Sequence, residues 1–378
     1  MNAKIIDAAA ITANFPDGQK LVEIQVTFDT DPGFIPENRV CVLGKQLLGM
    51  QQSGNKLMLS LKPEGLIPLP QPSKGEKRPP KPGNVPDFPP AVRLEPKAAI
   101  LVGGTLVETN RSIEPVVEDF RQLELGGMAY NLFAPKLEEG KRYPLVLFLH
   151  DASGCGPNPK TALSQGNGAV SFASPEWQRE NPCFVLAPQI GKEPYGPMTS
   201  DDFQVTPDLE RVVAILSHVM REYPVDDRRV YTTGQSMGCM ASCELNIRYS
   251  ELFAASLLVA GQWDPEKMAE KCADANLWIL VSGNDAKAFP GMNAATEAME
   301  VNGASVYRYT WDAKRDDLEE QARLARKDTC NVRYTVFADS SVVPEGIDPN
   351  PGMNHIFTWP VVYEITELKR WLFSCMKG

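Results

Sequence analysis

One short stretch of the sequence places a strand, a sharp turn and a helix in direct succession. Residues 230–233 are rich in β-formers, residues 234–238 read Gly-Gln-Ser-Met-Gly, and residues 241–246 have helical composition. Glycines at 234 and 238 allow neighbouring backbone to approach a strained corner at Ser236. Because the chain holds 28 glycines, an ordinary turn is the alternative. The flanking strand and helix favour an elbow that presents a serine at the edge of an α/β sheet.

Beyond residue 115 the sequence alternates strand-like and helical stretches. Residues 120–125 and 129–134 predict an antiparallel hairpin, and residues 207–222 carry a helical apolar stripe. Unbroken apolar runs are typical of strands that are buried on both faces. Such runs and strand-like stretches lie at 144–149, 183–187, 230–233, 254–260, 277–281 and 332–337. The pattern predicts a mostly parallel sheet with helices on both faces.

The first part of the chain has a different pattern. Residues 20–28 and 56–62 alternate apolar and polar side chains, which predicts short strands of a small all-β sandwich. Residues 66–96 are dense in proline, and proline withholds a backbone donor, so this segment is expected to be an extended insertion. Strand-like sequence resumes at 98–102. We therefore predict a β-sandwich domain over 1–115 and a larger domain over 116–378.

Length and charge limit the possible partners. A chain of 378 residues is too long for one average domain, which agrees with two. The net charge of −10 argues against nucleic acid or an anionic membrane as a partner. No apolar run approaches the roughly 18 residues of a membrane span, and the start of the chain does not have the pattern of a signal peptide. We expect a soluble, cytoplasmic protein.

A serine hydroxyl needs a base before it can act as a nucleophile at neutral pH. The sequence contains 3 histidines, so the base can be chosen by elimination. His218 belongs to the helical stripe, and His150 ends an early strand, where the chain order of this architecture puts an oxyanion loop. His355 follows the last predicted strand in a Gly/Pro/Asn loop, before a closing helix at 361–373. His355 is therefore the predicted base.

The base in turn needs a carboxylate that fixes its tautomer. Asp285 lies between Ser236 and His355 in the sequence and follows the predicted strand 277–281, with Gly283 and Asn284 supplying a turn. It is the favoured acid. Asp264 follows the preceding strand and is the rival, and Asp274 and Asp312 are weaker alternatives. Each could also be an ordinary solvated loop carboxylate.

An oxyanion formed at Ser236 requires two backbone donors. We expect one from Met237, directly after the serine, and one from Asp151 or Ala152 in the loop that follows the strand 144–149. A plain turn between a strand and a helix is the alternative for that loop. The candidates for the substrate pocket are Gln165 and Gln189, which begin Gly/Pro-rich loops that could roof the site, together with Gln235 in the elbow, Trp263 and Trp359. The two tryptophans follow strand ends near the predicted acid and base, and packing in the core is the alternative for them.

The cysteines suggest neither a metal site nor a redox site. The chain has 8 of them, and no Cys-x-x-Cys pair occurs. Cys239 and Cys243 lie one helical turn apart behind the elbow, where we expect a structural role. The sequence predicts no metal and no organic cofactor.

From Tyr130 to its end, the chain resembles the α/β-hydrolase esterases related to polyhydroxybutyrate depolymerases, feruloyl esterases and "predicted peptidases". The segments that carry the resemblance are Tyr130-Asn-Leu-Phe-Ala-Pro135, Pro144-Leu-Val-Leu-Phe-Leu-His150, Val185-Leu-Ala-Pro-Gln189, the segment 229–238, the segment 248–254 and the surroundings of Asp285 and His355. The resemblance implies an α/β-hydrolase fold with Ser236, Asp285 and His355 as the triad, and an immunoglobulin-like N-terminal domain. One position departs from the family, since Asp151 follows His150 where a glycine is usual.

These features predict a serine hydrolase that cleaves a small carboxylic ester through an acyl-enzyme. A peptidase acting on short peptides is the alternative within the same chemistry. A binding protein that has kept the fold without turnover is the alternative from another class.

Overall fold

The computed structural model describes residues 3–67, 92–191 and 194–378. Within these ranges the named strands form sheets of five, three and nine strands. Most of the predicted proline-rich insertion, residues 68–91, lies outside the described residues. The described chain combines small β-sheets at its start with a large, mostly parallel sheet and helices.

Two small sheets share one apolar core in the first part of the chain. The five-stranded sheet has the order β4-β5-β2-β1-β8 and the three-stranded sheet the order β3-β6-β7. Leu57, Leu59 and Leu61 alternate into the core, as the apolar alternation predicts, and Ile100 meets them from the other sheet. The strands are β1 (Ile5–Phe15), β2 (Gly18–Phe28), β3 (Val40–Val42), β4 (Leu47–Ser53), β5 (Lys56–Gly65), β6 (Ala99–Val102), β7 (Thr105–Glu108) and β8 (Arg111–Ile113).

This arrangement fits a small sandwich, and its immunoglobulin-like character stays a prediction. The last of its strands, β8, pairs in parallel with β1 through the partners Ala9–Arg111 and Ile11–Ile113. The next strand in the chain already belongs to the nine-stranded sheet. The predicted domain boundary near residue 115 falls in this interval, and the division into two domains remains a prediction.

The large sheet has the order β16-β17-β15-β14-β13-β11-β12-β10-β9. Its central strands are buried on both faces, which explains their unbroken apolar runs. The hairpin predicted at its start is present, with β9 antiparallel to β10. Its strands are β9 (Arg121–Leu125), β10 (Met128–Phe133), β11 (Tyr143–Leu149), β12 (Phe184–Pro188), β13 (Val225–Gln235), β14 (Ala255–Val259), β15 (Leu277–Ser282), β16 (Val306–Trp311) and β17 (Val332–Phe337).

The sequence analysis missed β16. This strand lies at the edge of the sheet and pairs only with β17 among the described strands. Half of its residues are exposed and polar or aromatic, so it lacks the apolar run that marks the buried strands. An edge position therefore removed the signal on which the other predictions relied.

Helices cover both faces of the large sheet and position its loops. The helix predicted at 207–222 is present as α4, and α5 begins directly after Ser236. No helix in the described ranges is both long and apolar enough to cross a membrane. The helices are α1 (Thr161–Ser164), α2 (Val170–Ala173), α3 (Pro175–Glu180), α4 (Asp208–Glu222), α5 (Met237–Arg248), α6 (Pro265–Cys272), α7 (Ala288–Val301), α8 (Leu318–Ala325), α9 (Pro351–Ile356), α10 (Thr358–Val362) and α11 (Thr366–Ser374).

The end of the chain differs from the prediction of a loop followed by one closing helix. His355 lies in the short helix α9, and two separate helices, α10 and α11, follow it. Asn350 caps α9 by accepting a hydrogen bond from the backbone N–H of Met353 at 3.1 Å, and Pro351 occupies the first helical position. The Gly/Pro/Asn composition that suggested a loop is thus the start signal of a short helix.

Candidate active site

The predicted elbow is a sharp turn between β13 and α5. Ser236 has φ 51° and ψ −116°, a strained conformation for a residue with a side chain. A Cβ at position 238 would overlap the carbonyl group of Leu149, and a Cβ at 234 would overlap the backbone of Gly238. Both glycines are therefore required by the close approach of β11 to the turn, as the sequence analysis argued.

Three predicted side chains meet at this turn. The Nε2 atom of His355 lies 2.8 Å from the Oγ atom of Ser236. On the other side of the ring, Nδ1 of His355 lies 2.6 Å from Oδ2 of Asp285. Ser236 lies in the elbow, His355 in α9 and Asp285 in the loop after β15. In the sequence, 119 residues separate the serine from the histidine. The histidine bridges a hydroxyl and a carboxylate in the geometry that proton transfer requires.

Asp285 is held in place independently of the histidine. The side chain is 3% exposed, and its Oδ1 accepts hydrogen bonds from the backbone N–H groups of Lys287 at 3.0 Å and Ala288 at 2.9 Å. Burial by itself would raise the pKa of the Asp285 carboxyl, but the hydrogen bond and charge of His355, together with the two amides, outweigh burial and lower the pKa. The carboxylate is thus ionised and aimed at Nδ1 of His355.

The rival residues have other partners. Asp264 caps α6 by accepting from the backbone N–H groups of Glu266 at 3.1 Å and Lys267 at 3.2 Å. His150 is fully buried, its Nδ1 lies 2.7 Å from the carbonyl oxygen of Asp151, and its Nε2 accepts from the N–H of Ile190 at 3.0 Å. These partners require the neutral ring with the proton on Nδ1. Burial lowers the pKa of His150, which also favours the neutral form.

The loop after β11 lies beside the elbow. Asp151 caps a short 3-10 turn, residues Ala152–Gly154, while Met237 is the first residue of α5. The N–H of a first helical residue has no acceptor inside its helix. Ala152 and Met237 thus each start a helical turn with a backbone N–H that has no acceptor within that turn, and both lie in segments that flank Ser236.

Asp151 uses both carboxylate oxygens on neighbouring protein groups. Its Oδ1 accepts from the N–H of Ser153 at 2.9 Å, from the hydroxyl of Ser153 at 2.6 Å and from Nε2 of Gln165 at 2.9 Å. Its Oδ2 accepts from Nε2 of Gln235 at 3.0 Å. Since Gln235 directly precedes Ser236, this last bond ties the loop to the elbow.

The predicted pocket residues differ in the groups that they contact. Trp359 stands edge-on to His355, with ring centroids 5.4 Å apart and an angle of 87° between the planes. Gln189 is buried, with its carbonyl oxygen accepting from the N–H of Ala162 at 3.0 Å and its amide donating to the carbonyl of Gly154 at 2.7 Å. Trp263 is buried and donates to Glu244 at 2.9 Å.

Of the five candidates, Trp359 contacts the histidine directly. Gln189, Gln235 and Trp263 are buried, and their donor groups bind other protein groups, so they support the scaffold around the site. Gln165 contacts the Asp151 loop. The sequence did not distinguish side chains that hold the scaffold from one that faces the histidine, and a role of these residues in substrate binding stays a prediction.

The sequence analysis did not single out Asp201. Its Oδ1 accepts from Nε2 of Gln262 at 2.9 Å, and its Oδ2 forms an ion pair with Lys287, two residues after Asp285. In the same segment, the N–H of Met198 lies 3.2 Å from Sδ of Met237. The segment around Asp201 therefore reaches both the elbow and the Asp285 loop. Its partners are distant in the sequence, and no local pattern marks them.

Comparison with solved structures identifies the fold of the chain. The chain is similar to the crystal structure of a thermostable esterase, with a TM-score of 0.73 and 21% identity over 98% of this chain and 100% of the other. It has the α/β-hydrolase fold. No protein-family model and no curated protein matches the chain.

Two further solved structures are more distant. A ferulic acid esterase from Anaeromyces mucronatus in complex with ferulic acid matches with a TM-score of 0.41 and 13% identity over 66% of this chain and 89% of the other. An acylaminoacyl peptidase matches with a TM-score of 0.41 and 13% identity over 93% of this chain and 54% of the other. The assignment of the fold rests on the first comparison and on the sheet described above.

Proposed function

We propose that the protein is a serine hydrolase that cleaves carboxylic esters through an acyl-enzyme. The observation that carries the proposal is the continuous line from Ser236 through His355 to Asp285, with distances of 2.8 Å and 2.6 Å. Nucleophile, base and orienting acid within hydrogen-bond reach of one another are what acyl transfer by serine requires.

The proposed reaction begins with attack of the Ser236 hydroxyl on the ester carbonyl carbon. Nε2 of His355 accepts the hydroxyl proton, and the ionised Asp285 stabilises the positive ring through Nδ1–H. The carbonyl oxygen becomes an oxyanion, and the N–H groups of Met237 and of Ala152 or Asp151 would donate to it. His355 then gives its proton to the departing alcohol, which leaves the acyl group on Ser236.

Water completes the cycle in the proposed mechanism. His355 takes a proton from water, and the resulting hydroxide attacks the acyl carbon to form a second oxyanion. This oxyanion collapses as the bond between the acyl carbon and Oγ breaks, His355 returns its proton to Oγ of Ser236, and the carboxylic acid leaves. No step needs a redox partner. In this mechanism Ser236, His355 and Asp285 therefore take part both in acylation and in deacylation.

An ester is the first substrate class to test, because the solved structure that shares the fold over nearly the whole chain is described as an esterase. Amides react by the same acyl chemistry, so a peptidase remains the alternative substrate class. The third alternative is a binding protein that has the fold without turnover, and such a protein would not react with a fluorophosphonate.

Two measurements test the proposal. A fluorophosphonate probe should label the wild-type protein and fail to label Ser236→Ala, whereas Ser242→Ala, which removes a serine hydroxyl from the helix after the elbow, should still label. A panel of p-nitrophenyl esters of increasing acyl length, run beside aminoacyl p-nitroanilides, should show turnover of esters. Absence of labelling, or turnover of the anilides alone, would overturn the proposal.

A further inference from the structure

A buried ion pair joins Arg93 and Glu114, which contact none of the three triad residues in the part of the chain that the structure describes. The Arg93 side chain is fully buried and forms an ion pair with Glu114, whose side chain is 2% exposed. Lys160 also reaches Glu114, with 2.7 Å between Nζ and Oε1, and Gln19 donates to Oε2 of Glu114 at 3.0 Å. Removing one partner of a buried ion pair leaves an uncompensated charge, so the pairing with Glu114 holds Arg93 in place.

The cluster of Arg93, Glu114 and Gln19 holds the end of α1. The guanidinium Nε of Arg93 donates to the hydroxyl of Ser164 at 2.9 Å, and that hydroxyl donates to Oε1 of Gln19 at 2.7 Å. A Cβ at Gly18 would lie 2.8 Å from the carbonyl oxygen of Ser164, so the turn between β1 and β2 lies directly against the helix end. The position of Ser164 is therefore set by residues from the part of the chain that precedes residue 115.

The residue after Ser164 reaches the loop beside the nucleophile. Gln165 donates through Nε2 to Oδ1 of Asp151 at 2.9 Å and to the hydroxyl of Ser153 at 2.6 Å. A Cβ at position 154 would overlap the Gln165 side chain, so glycine at 154 is what lets Gln165 lie against the loop. Asp151 in turn binds Gln235, the neighbour of Ser236.

We propose that Gln165 is a positioning residue that couples the oxyanion loop at 151–154 to the buried cluster of Arg93, Glu114 and Gln19. The inference rests on the proposed function, because the loop matters for rate only if it supplies an oxyanion donor. Small displacements of such a donor weaken transition-state stabilisation without changing ground-state binding. Residues that precede residue 115 would thus fix the position of the oxyanion loop without touching the substrate.

The test uses the full-length protein and two single substitutions. Gln165→Met keeps the length of the side chain and removes its amide, and Ser164→Ala removes the hydroxyl that connects Gln165 to the cluster. Ser171→Ala is the matched control, because its buried hydroxyl oxygen has no hydrogen-bond partner among the described residues. For each variant, kcat, KM, the rate constant of fluorophosphonate labelling and Tm are measured.

We expect kcat and the labelling rate constant of Gln165→Met to fall about 10- to 100-fold, with KM within about threefold of wild type. Ser164→Ala should lose about three- to tenfold in the same two quantities, and Ser171→Ala should stay within about twofold. If Gln165→Met does not fold, the Ser164→Ala result decides.

Three results would overturn the inference. Gln165→Met could match the control, which would leave the loop independent of Gln165. It could raise KM with kcat unchanged, which would make Gln165 a substrate contact. Ser164→Ala could match the control, which would disconnect the cluster from the site. A wild-type protein that neither labels nor turns over would overturn the proposed function as well, whereas the three results above leave that function standing.

Discussion

Two buried aspartates flank the elbow, and they differ in what they bind. Asp285 and Asp151 are 3% and 5% exposed, and each accepts backbone N–H groups of its own loop. Asp285 directs its remaining oxygen to Nδ1 of His355, whereas Asp151 directs its remaining oxygen to the amide of Gln235. A histidine can take up a proton during the reaction and an amide cannot, so the partner decides which carboxylate can contribute to proton transfer.

The largest expected effects come from the two residues between which the proposed mechanism moves a proton. We predict that Ser236→Ala and His355→Ala each lower kcat by about 10⁵- to 10⁶-fold, while the double variant loses little more, because the two act as one unit. Single-turnover and steady-state assays on an activated ester would measure this. Losses that multiply in the double variant would show that the residues act separately.

We expect the next largest loss of activity from Asp285→Asn. The amide cannot hold the proton of His355 on Nδ1, so we predict a fall in kcat of about 10⁴-fold. Asp264→Asn is the matched control and should keep activity within about tenfold, since Asp264 caps α6. Exchange of the two results would move the acid role to Asp264.

A pair of isosteric substitutions can test whether the hydrogen bond between Asp151 and Gln235 positions the loop. Gln235→Glu would set a carboxylate against Oδ2 of Asp151, and we predict a loss in kcat of about 10- to 100-fold from the displaced loop. Adding Asp151→Asn supplies an amide donor to the new carboxylate and should restore most of the activity. A double variant no better than Gln235→Glu alone would show that the bond between these residues does not position the loop.

The smallest effect concerns stability at low pH. The pKa of Asp285 is lowered in the folded protein, so its contribution to stability is present above the pKa of the unfolded chain and is lost as pH falls through the folded value. We predict that the free energy of unfolding of the wild type, relative to Asp285→Asn, declines as pH is lowered from about 6 to below the ordinary value of 3.8. Urea unfolding of both proteins across this range measures it, and a constant difference would contradict the prediction.

Local pattern and residue scarcity account for most of what the sequence revealed. The glycines at 234 and 238 identify the elbow because close backbone approach admits no other residue, and 3 histidines leave few choices of base. The buried strands were predictable because burial on both faces selects apolar runs. For β16, exposure at the sheet edge removed that signal.

The polar contacts around Asp151 could not be predicted in the same way. Gln165 is 14 residues from Asp151 and Gln235 is 84 residues away, and glutamine has no sequence pattern that announces a carboxylate partner. The pairing of Arg93 with Glu114 likewise depends on how two parts of the chain meet. Such bonds are set by tertiary structure, because they join residues that only the folded chain brings together.

The parallel pairing of β1 with β8 has a consequence for the making of the protein. Residues 9–11 find their partners at 111–113, so the outer edge of β1 stays unpaired until about a hundred further residues have been synthesised. At roughly 5 to 20 residues per second, translation leaves that edge open for several seconds on every ribosome. An open strand edge is a template for pairing with other chains, so this interval of synthesis is the one in which the edge of β1 is most exposed to aggregation.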